Sequence, residues 1–271
     1  MKGVIFIDHN VVARHFIQNN TFYELGVNSQ LEYIFPESGH PRISQVDSGA
    51  IKIPDNHIRL PIIQSRQKIW KWLYLIDQLR WKPGAQAKSL RKLHRANAGK
   101  KATFILTLLG LPVIRHIYKK FSHKKLNSEP NLALRNYLKK EKPDFIIHPC
   151  VLEGLFINDL IVESNYLKIP LIAIMNSWDN PSTKRAMIGT PDWLLVWGEQ
   201  TYRHAIEYAN MPPDRTIKFG AAQFEAHRGK PRLSKSEFCR ANKIREDLPI
   251  LVYAGSSKGT REIDHLTHLD R

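Results

Sequence analysis

"IMNSWDNPSTKRAMIGTPDWLLVWGEQTYRHAIEYA", residues 174 to 209, enters as a continuous apolar strand, crosses a polar loop that sets Trp178 between Ser177 and Asp179, and returns to a second apolar strand closed by Trp197 and Gly198. "EQTYRHAIEYA" then repeats apolar and aromatic positions at helical spacing. A strand without polar alternation has both faces covered, as in parallel sheets flanked by helices. Outward from this stretch the same kind of run recurs: "GVIFI" at 3 to 7, "LEYIF" at 31 to 35, "DFIIH" at 144 to 148, "TIKFG" at 216 to 220 and "PILVYAG" at 249 to 255. Helix-like segments separate them, among them "LEGLFINDLIVESNYLK", with Leu155, Ile157, Leu160, Ile161 and Leu167. The expected fold class is α/β, a Rossmann-like parallel sheet with helices on both faces.

With 271 residues, 42% of them hydrophobic, the chain can bury one large core, or one and part of a second. Cys150 and Cys239 match no zinc or redox spacing and read as reduced, buried thiols. "MKGVIFIDHN" reads as a strand entering a loop rather than as a secretory signal, so a cytosolic location is expected.

The formal net charge of +16 belongs to one segment: from Arg66 to Lys142 there are 20 Lys and Arg against Asp77, Glu129 and Glu141. Within it "KIWKWLYLIDQLRWK" places Ile69, Trp72, Leu73, Ile76 and Leu79 at helical spacing. "ATFILTLLGLPVI" is apolar over 13 residues, short of the roughly 20 that cross a bilayer. Three readings stand side by side. The segment is a solvated helical face packed on the sheet; or it lies on an anionic inner leaflet with Trp70, Trp72 and Trp81 at the headgroups; or it binds nucleic acid, although no helix-turn-helix, zinc-finger or RNP pattern accompanies the charge.

The sequence divides into a domain over 1–222 with a basic helical insertion at 66–142, then a polar linker and short helix at 223–248, where Ser234 and Glu237 form a capping box. Residues 249–271 form a further strand and loop.

The succession "PDFIIHP", helix, "KIPLIAIMNSWDNPSTK", "PDWLLVWGEQTYRHAIEYANMPPDRTIKFGAAQFE" and "PILVYAGSS" resembles bacterial GT-B glycosyltransferase-like proteins of surface-polysaccharide and CDP-glycerol glycerophosphotransferase type. The resemblance covers residues 143 to 257 and is only topological before them. Its most specific pieces are "SWDN" followed by Lys184, and "VWGEQ" followed by "FGAAQFE". It implies two Rossmann-like domains facing each other across a cleft, here an N-terminal, acceptor-side domain and a C-terminal, donor-side domain that is truncated. This departs from the family, and a truncated product, a partner chain that completes the domain, or acceptor binding alone would each account for it.

Ligands of open α/β sheets bind outside the carboxyl ends of the strands, where the loop after residue 176 leaves the sheet. Trp178 offers a flat face for a sugar or base, Asp179 and Asn180 hydrogen-bonding groups for hydroxyls, and Lys184 a charge for phosphate. Alternatively Asp179 and Asn180 make a turn before Pro181 and Trp178 is core. "AGSSKGT" (254 to 260) is a candidate phosphate loop, with Gly255, Ser256, Ser257 and Lys258 after a strand, without the spacing of a Walker or dinucleotide motif. In "DHN" His9 is a candidate catalytic base that Asp8 would orient, or a surface histidine beside an N-cap. His148 is a second candidate, or a satisfied histidine at a strand end.

No cofactor and no bound metal are expected. Two functions are weighed. One is a glycosyltransferase-like protein moving a sugar or glycerophosphate from a nucleotide-activated donor (a nucleotide sugar or CDP-glycerol) to a glycan or lipid-linked acceptor in cell-envelope polysaccharide synthesis, peripheral on the inner face of the plasma membrane. The other is a non-catalytic module that docks on membrane or nucleic acid through the basic segment.

Overall fold

Strand β1 (Lys2–Phe6) sends Val4 and Phe6 into one apolar cluster, and Ile5, with Ile7 just beyond it, into another; all four are fully buried. Such a strand can lie only inside a sheet covered on both faces. The computed structural model of the chain describes residues 1–78, 99–150, 154–177, 187–227, 229–252 and 267. Around β1 the strands β2 (Gln30–Pro36), β3 (His57–Leu60), β4 (Phe145–Cys150), β5 (Leu171–Met175), β6 (Trp193–Val196) and β7 (Thr216–Lys218) form one wholly parallel sheet in the order β3-β2-β1-β4-β5-β6-β7. The direction of winding reverses between β1 and β4. This is a Rossmann-like α/β fold.

One face is covered by α6 (Leu132–Glu141), α7 (Ile157–Leu167) and α8 (Glu199–Ala209), through Leu134 and Leu138, Ile157 and Leu160, and Ala205 and Ala209. The other is covered by α1 (Asn10–Val12), the π-helical stretch Ala13–Gln18 that continues it, α2 (Tyr23–Asn28) and α3 (Ser44–Asp47), with Val12, Phe16 and Val46 against the sheet. Helices α6, α7 and α8 each end in a non-glycine residue with positive φ: Lys142 at 46°, Lys168 at 62° and Asn210 at 53°. Each closes the last turn by donating its amide to a carbonyl of the helix, that of Leu138, Ser164 or Ala205. Gly198 opens α8, and its amide donates to Thr201 Oγ1 at 2.8 Å.

β3 is the strand that the hydrophobic pattern does not announce. "HIRL" is short and half polar because it forms the sheet's edge, where only β2 pairs with it. The stretch 249 to 255, expected as a strand, is described as far as 252; over 249–252 it carries no regular structure, and Leu251 and Val252 are exposed.

The basic segment is attached from outside this layer. Helix α4 (Gln64–Gln78) and helix α5 (Pro112–Ser128) pack on the outer side of α7 through Trp70, Leu73 and Leu126, with Val162 and Ile188 beside them. Trp70 is therefore 5% exposed, and its indole N–H donates to Asp159 Oδ1 at 2.7 Å. A headgroup position for Trp70 is ruled out; Leu79 and Trp81 lie outside the described residues. Asp159 also accepts from Arg66 Nε at 2.9 Å and from Asn131 Nδ2 at 2.9 Å, while Arg66 Nη1 donates to the carbonyls of Leu126 and Glu129. Asn131 Oδ1 in turn caps α6 through the Leu134 amide. Arg66, Asn131 and Asp159 are all buried.

The chain divides into two compact units, Met1–Ala226 and His227–Arg271. In the second, α9 (Lys235–Asn242) starts with the capping box read from the sequence: Ser234 Oγ accepts from the Glu237 amide, and Glu237 Oε2 accepts from the Ser234 amide at 2.8 Å. Cys239 is buried in this unit as a free thiol. No helix among the described residues is long and apolar enough to cross a membrane.

Replacing Asp159 by Ala strands the Arg66 guanidinium in the interior, which costs roughly 3 to 5 kcal/mol. Chemical denaturation should show a loss of that size, while Lys120→Ala, at an exposed site on α5, should leave stability within about 0.5 kcal/mol.

Candidate functional site

In an open parallel sheet the crevice lies at the carboxyl ends of the strands where the winding reverses, here between β1 and β4. Asp8, two residues past β1, and His148, in β4, meet there. His148 Nε2 and Asp8 Oδ2 are 3.2 Å apart although 140 residues separate them in sequence. Both side chains are essentially inaccessible. Asp8 Oδ2 also accepts from the Leu155 amide, just ahead of α7, so the carboxylate anchors the start of that helix. Asp8 Oδ1 is buried with no hydrogen-bond partner among the described residues.

Burial by itself would raise the Asp8 carboxyl, but the His148 charge and hydrogen bond, the nearby Arg42 guanidinium and the Leu155 amide together hold it below its ordinary 3.8. Gly154 makes this contact physically feasible. A Cβ there would lie 2.5 Å from both Asp8 Oδ2 and His148 Cε1, closer than any side chain tolerates.

His9 is itself the N-cap of α1, with Nδ1 accepting from the Val11 amide at 3.0 Å. A neutral imidazole bonded in this way carries its proton on Nε2 and presents a donor outward. For His9 to accept a proton at Nε2, the cap bond has to be released. Asp8 is engaged with His148 and Leu155. The π-helical stretch brings in another histidine: His15 Nδ1 lies 2.8 Å from Asn176 Oδ1, at the carboxyl end of β5. π-Helical turns in proteins frequently mark functional sites.

Residues 178–186, which follow this edge in the sequence, lie outside the described residues. Before them Asn176 is bonded to His15, and after them Met187 is buried and the Ile188 amide donates to Asn158 Oδ1 at 2.8 Å. Trp178, Asp179, Asn180 and Lys184 lie outside the described residues, as do Gly255, Ser256, Ser257 and Lys258. At the end of β6, Trp197 donates its indole N–H to the Met175 carbonyl at 3.2 Å and meets the Phe224 ring at 5.9 Å between centroids.

Sequence reasoning named Asp8, His9 and His148 but missed Gly154, His15, Asn176 and Arg42. Of these only Gly154, between a strand and a helix, left a local signal. Among the described residues no group of three or more His, Cys, Asp and Glu is arranged to hold a metal ion.

No protein-family model matches the chain. No curated protein matches it by sequence either. Among solved structures, the chain is similar to UDP-GlcNAc 2-epimerase from Neisseria meningitidis bound to UDP-GlcNAc, with 11% identity, a TM-score of 0.44, and coverage of 90% of this chain and 52% of the epimerase. It is similar also to MurG of Acinetobacter baumannii, with 13% identity, a TM-score of 0.37, and coverage of 86% of this chain and 46% of MurG. The chain thus spans about half the length of each.

Two outcomes follow from this geometry. Gly154→Ala should displace the Asp8–His148 contact and lower the melting temperature, whereas Gly39→Ala, which meets nothing within 4 Å, should cost only its positive-φ strain. Because the folded Asp8 value is depressed, the stability it contributes is complete above the unfolded value of about 3.9 and is lost as the pH falls through the lower folded value. The melting deficit of Asp8→Asn should therefore be larger above pH about 4 than below it; a deficit constant across that range would contradict an ionised Asp8.

Proposed function

We propose that residues 1–222 are the acceptor-side domain of a GT-B-type glycosyltransferase-like protein. It moves a sugar or glycerophosphate from a nucleotide-activated donor to a hydroxyl of a glycan or lipid-linked acceptor in cell-envelope synthesis. The observation that carries this reading is the buried Asp8–His148 pair at the point where the sheet reverses its winding, in which Asp8 Oδ1 has no hydrogen-bond partner among the described residues. Shielded from solvent in this conformation, such an acceptor oxygen takes a hydroxyl donor once the chain covering it gives way, and a sugar or glycerol hydroxyl supplies one.

In this reading His9 exchanges its cap bond for the acceptor hydroxyl and takes its proton as the hydroxyl oxygen bonds to the donor carbon or phosphorus, while the donor's bond to its nucleotide breaks and the nucleotide phosphate leaves with that electron pair. Asp8 takes the acceptor hydroxyl at Oδ1 and, through the Leu155 amide, anchors the start of α7. Arg42, close enough to depress Asp8, lends positive charge to a phosphorylated donor. Trp178, Asp179, Asn180 and Lys184, which follow β5 in the sequence, are the residues proposed to bind the acceptor or donor. Gly255, Ser256, Ser257 and Lys258, in the second unit, are the groups proposed to bind donor phosphate, and Leu251 and Val252 ahead of them are exposed.

Isothermal titration with UDP- and CDP-activated sugars and CDP-glycerol tests the reading. Binding in the millimolar range or tighter by one of them is expected, and its absence across the panel would sink the proposal. His9→Asn retains an N-cap side chain but removes the imidazole, so it should lower transfer about 100-fold or more with an unchanged melting temperature.

A further inference from the structure

Helix α5 inverts the usual amphipathic arrangement. Its protein-facing side carries Tyr118, Ser122 and Leu126. Val113, Ile117 and Phe121, four residues apart and so on one stripe, are 70%, 61% and 65% exposed. The helical residues 99 to 110 ahead of it add Phe104 and Leu108, and Leu111 joins the two; all three are exposed. Across residues 99 to 128 there are seven Lys and Arg (Lys100, Lys101, Arg115, Lys119, Lys120, Lys124 and Lys125) and no Asp or Glu.

Contiguous exposed apolar surface of this kind marks an interaction site, and the surrounding charge selects what covers it. A second copy of the chain would set one cationic rim against another. Nucleic acid would satisfy the lysines and leave the phenylalanines and isoleucines in water. An anionic bilayer surface satisfies both, with apolar side chains at the acyl boundary and ammonium groups among the phosphates. Because no described helix can span a bilayer, the geometry is that of helices lying in the interface plane.

We infer that residues 99 to 124 form a membrane-docking surface for an anionic leaflet, with Phe104, Leu108, Val113, Ile117 and Phe121 inserted and Lys120 and Lys124 at the headgroups. The inference is independent of the transfer reading, since vesicle binding and donor binding are measured separately.

The test is sedimentation of the intact protein with phosphatidylcholine vesicles, with and without phosphatidylglycerol. Binding to the acidic vesicles that weakens with added salt is expected. Each lysine near the surface is worth about fivefold, so Lys120→Gln with Lys124→Gln should weaken binding about 25-fold, and Ile117→Ser with Phe121→Ser should weaken it at least about tenfold. Amide exchange over residues 99 to 121 should slow in the presence of acidic vesicles, a readout that needs no variant. Equal binding to neutral vesicles, none to acidic ones, or unchanged exchange would overturn the inference. So would a dimer that Ile117→Ser with Phe121→Ser disperses, or RNA binding that this variant retains in full.

Discussion

A single buried carboxylate holds the helical layers together. Asp159 sits in the first turn of α7, where the helix dipole already favours negative charge, and accepts from Arg66, Trp70 and Asn131. These donors belong to α4 and to the cap of α6, so one side chain ties the start and the end of the basic excursion to the helix that covers the sheet. Arg66 extends the connection through the carbonyls that end α5. Without this convergence the excursion would rest on the apolar contacts of Trp70, Leu73 and Leu126 and on bonds such as that from Gln67 Nε2 to the Leu155 carbonyl.

The same helix begins at the candidate site. Its start is fixed by Asp8 through the Leu155 amide, and a residue of its first turn, Asn158, holds the returning end of the loop after β5. α7 therefore receives the site on one side and the basic helices on the other, and both attachments depend on polar groups shielded from water. Such groups are unforgiving, because each left without its partner costs more than the bond itself contributes.

What the sequence disclosed follows from how local each determinant is. β1, β4, β5 and β6 were legible because a strand buried on both faces needs an unbroken apolar run, and α8 because its amphipathic spacing is intact. α9 was legible through the reciprocal bonds of Ser234 and Glu237, three residues apart. β3 was not, since an edge strand tolerates the polar pattern of "HIRL". One of the three readings of the basic segment set Trp70 at a membrane surface, because helical spacing reveals a stripe but not what the stripe faces; its indole bonds to Asp159, 89 residues away. At the site, Asp8 and His9 were visible as polar residues ending a strand. The pairing of His15 with Asn176, 161 residues apart, is set by strand order alone, and no local pattern encodes it.

The left-handed residues that end α6, α7 and α8 bear on how this protein could change. Lys142, Lys168 and Asn210 each hold a conformation that glycine adopts freely and side chains adopt at roughly 1 kcal/mol. All three precede strands at the amino edge of the sheet, opposite the edge that carries Asp8, His9 and His148. The fold thus keeps a reserve of unused thermal tolerance on the side remote from its chemistry. A lineage or an engineer can draw on that reserve, one helix end at a time, to offset destabilising changes at the carboxyl edge that a new substrate would demand.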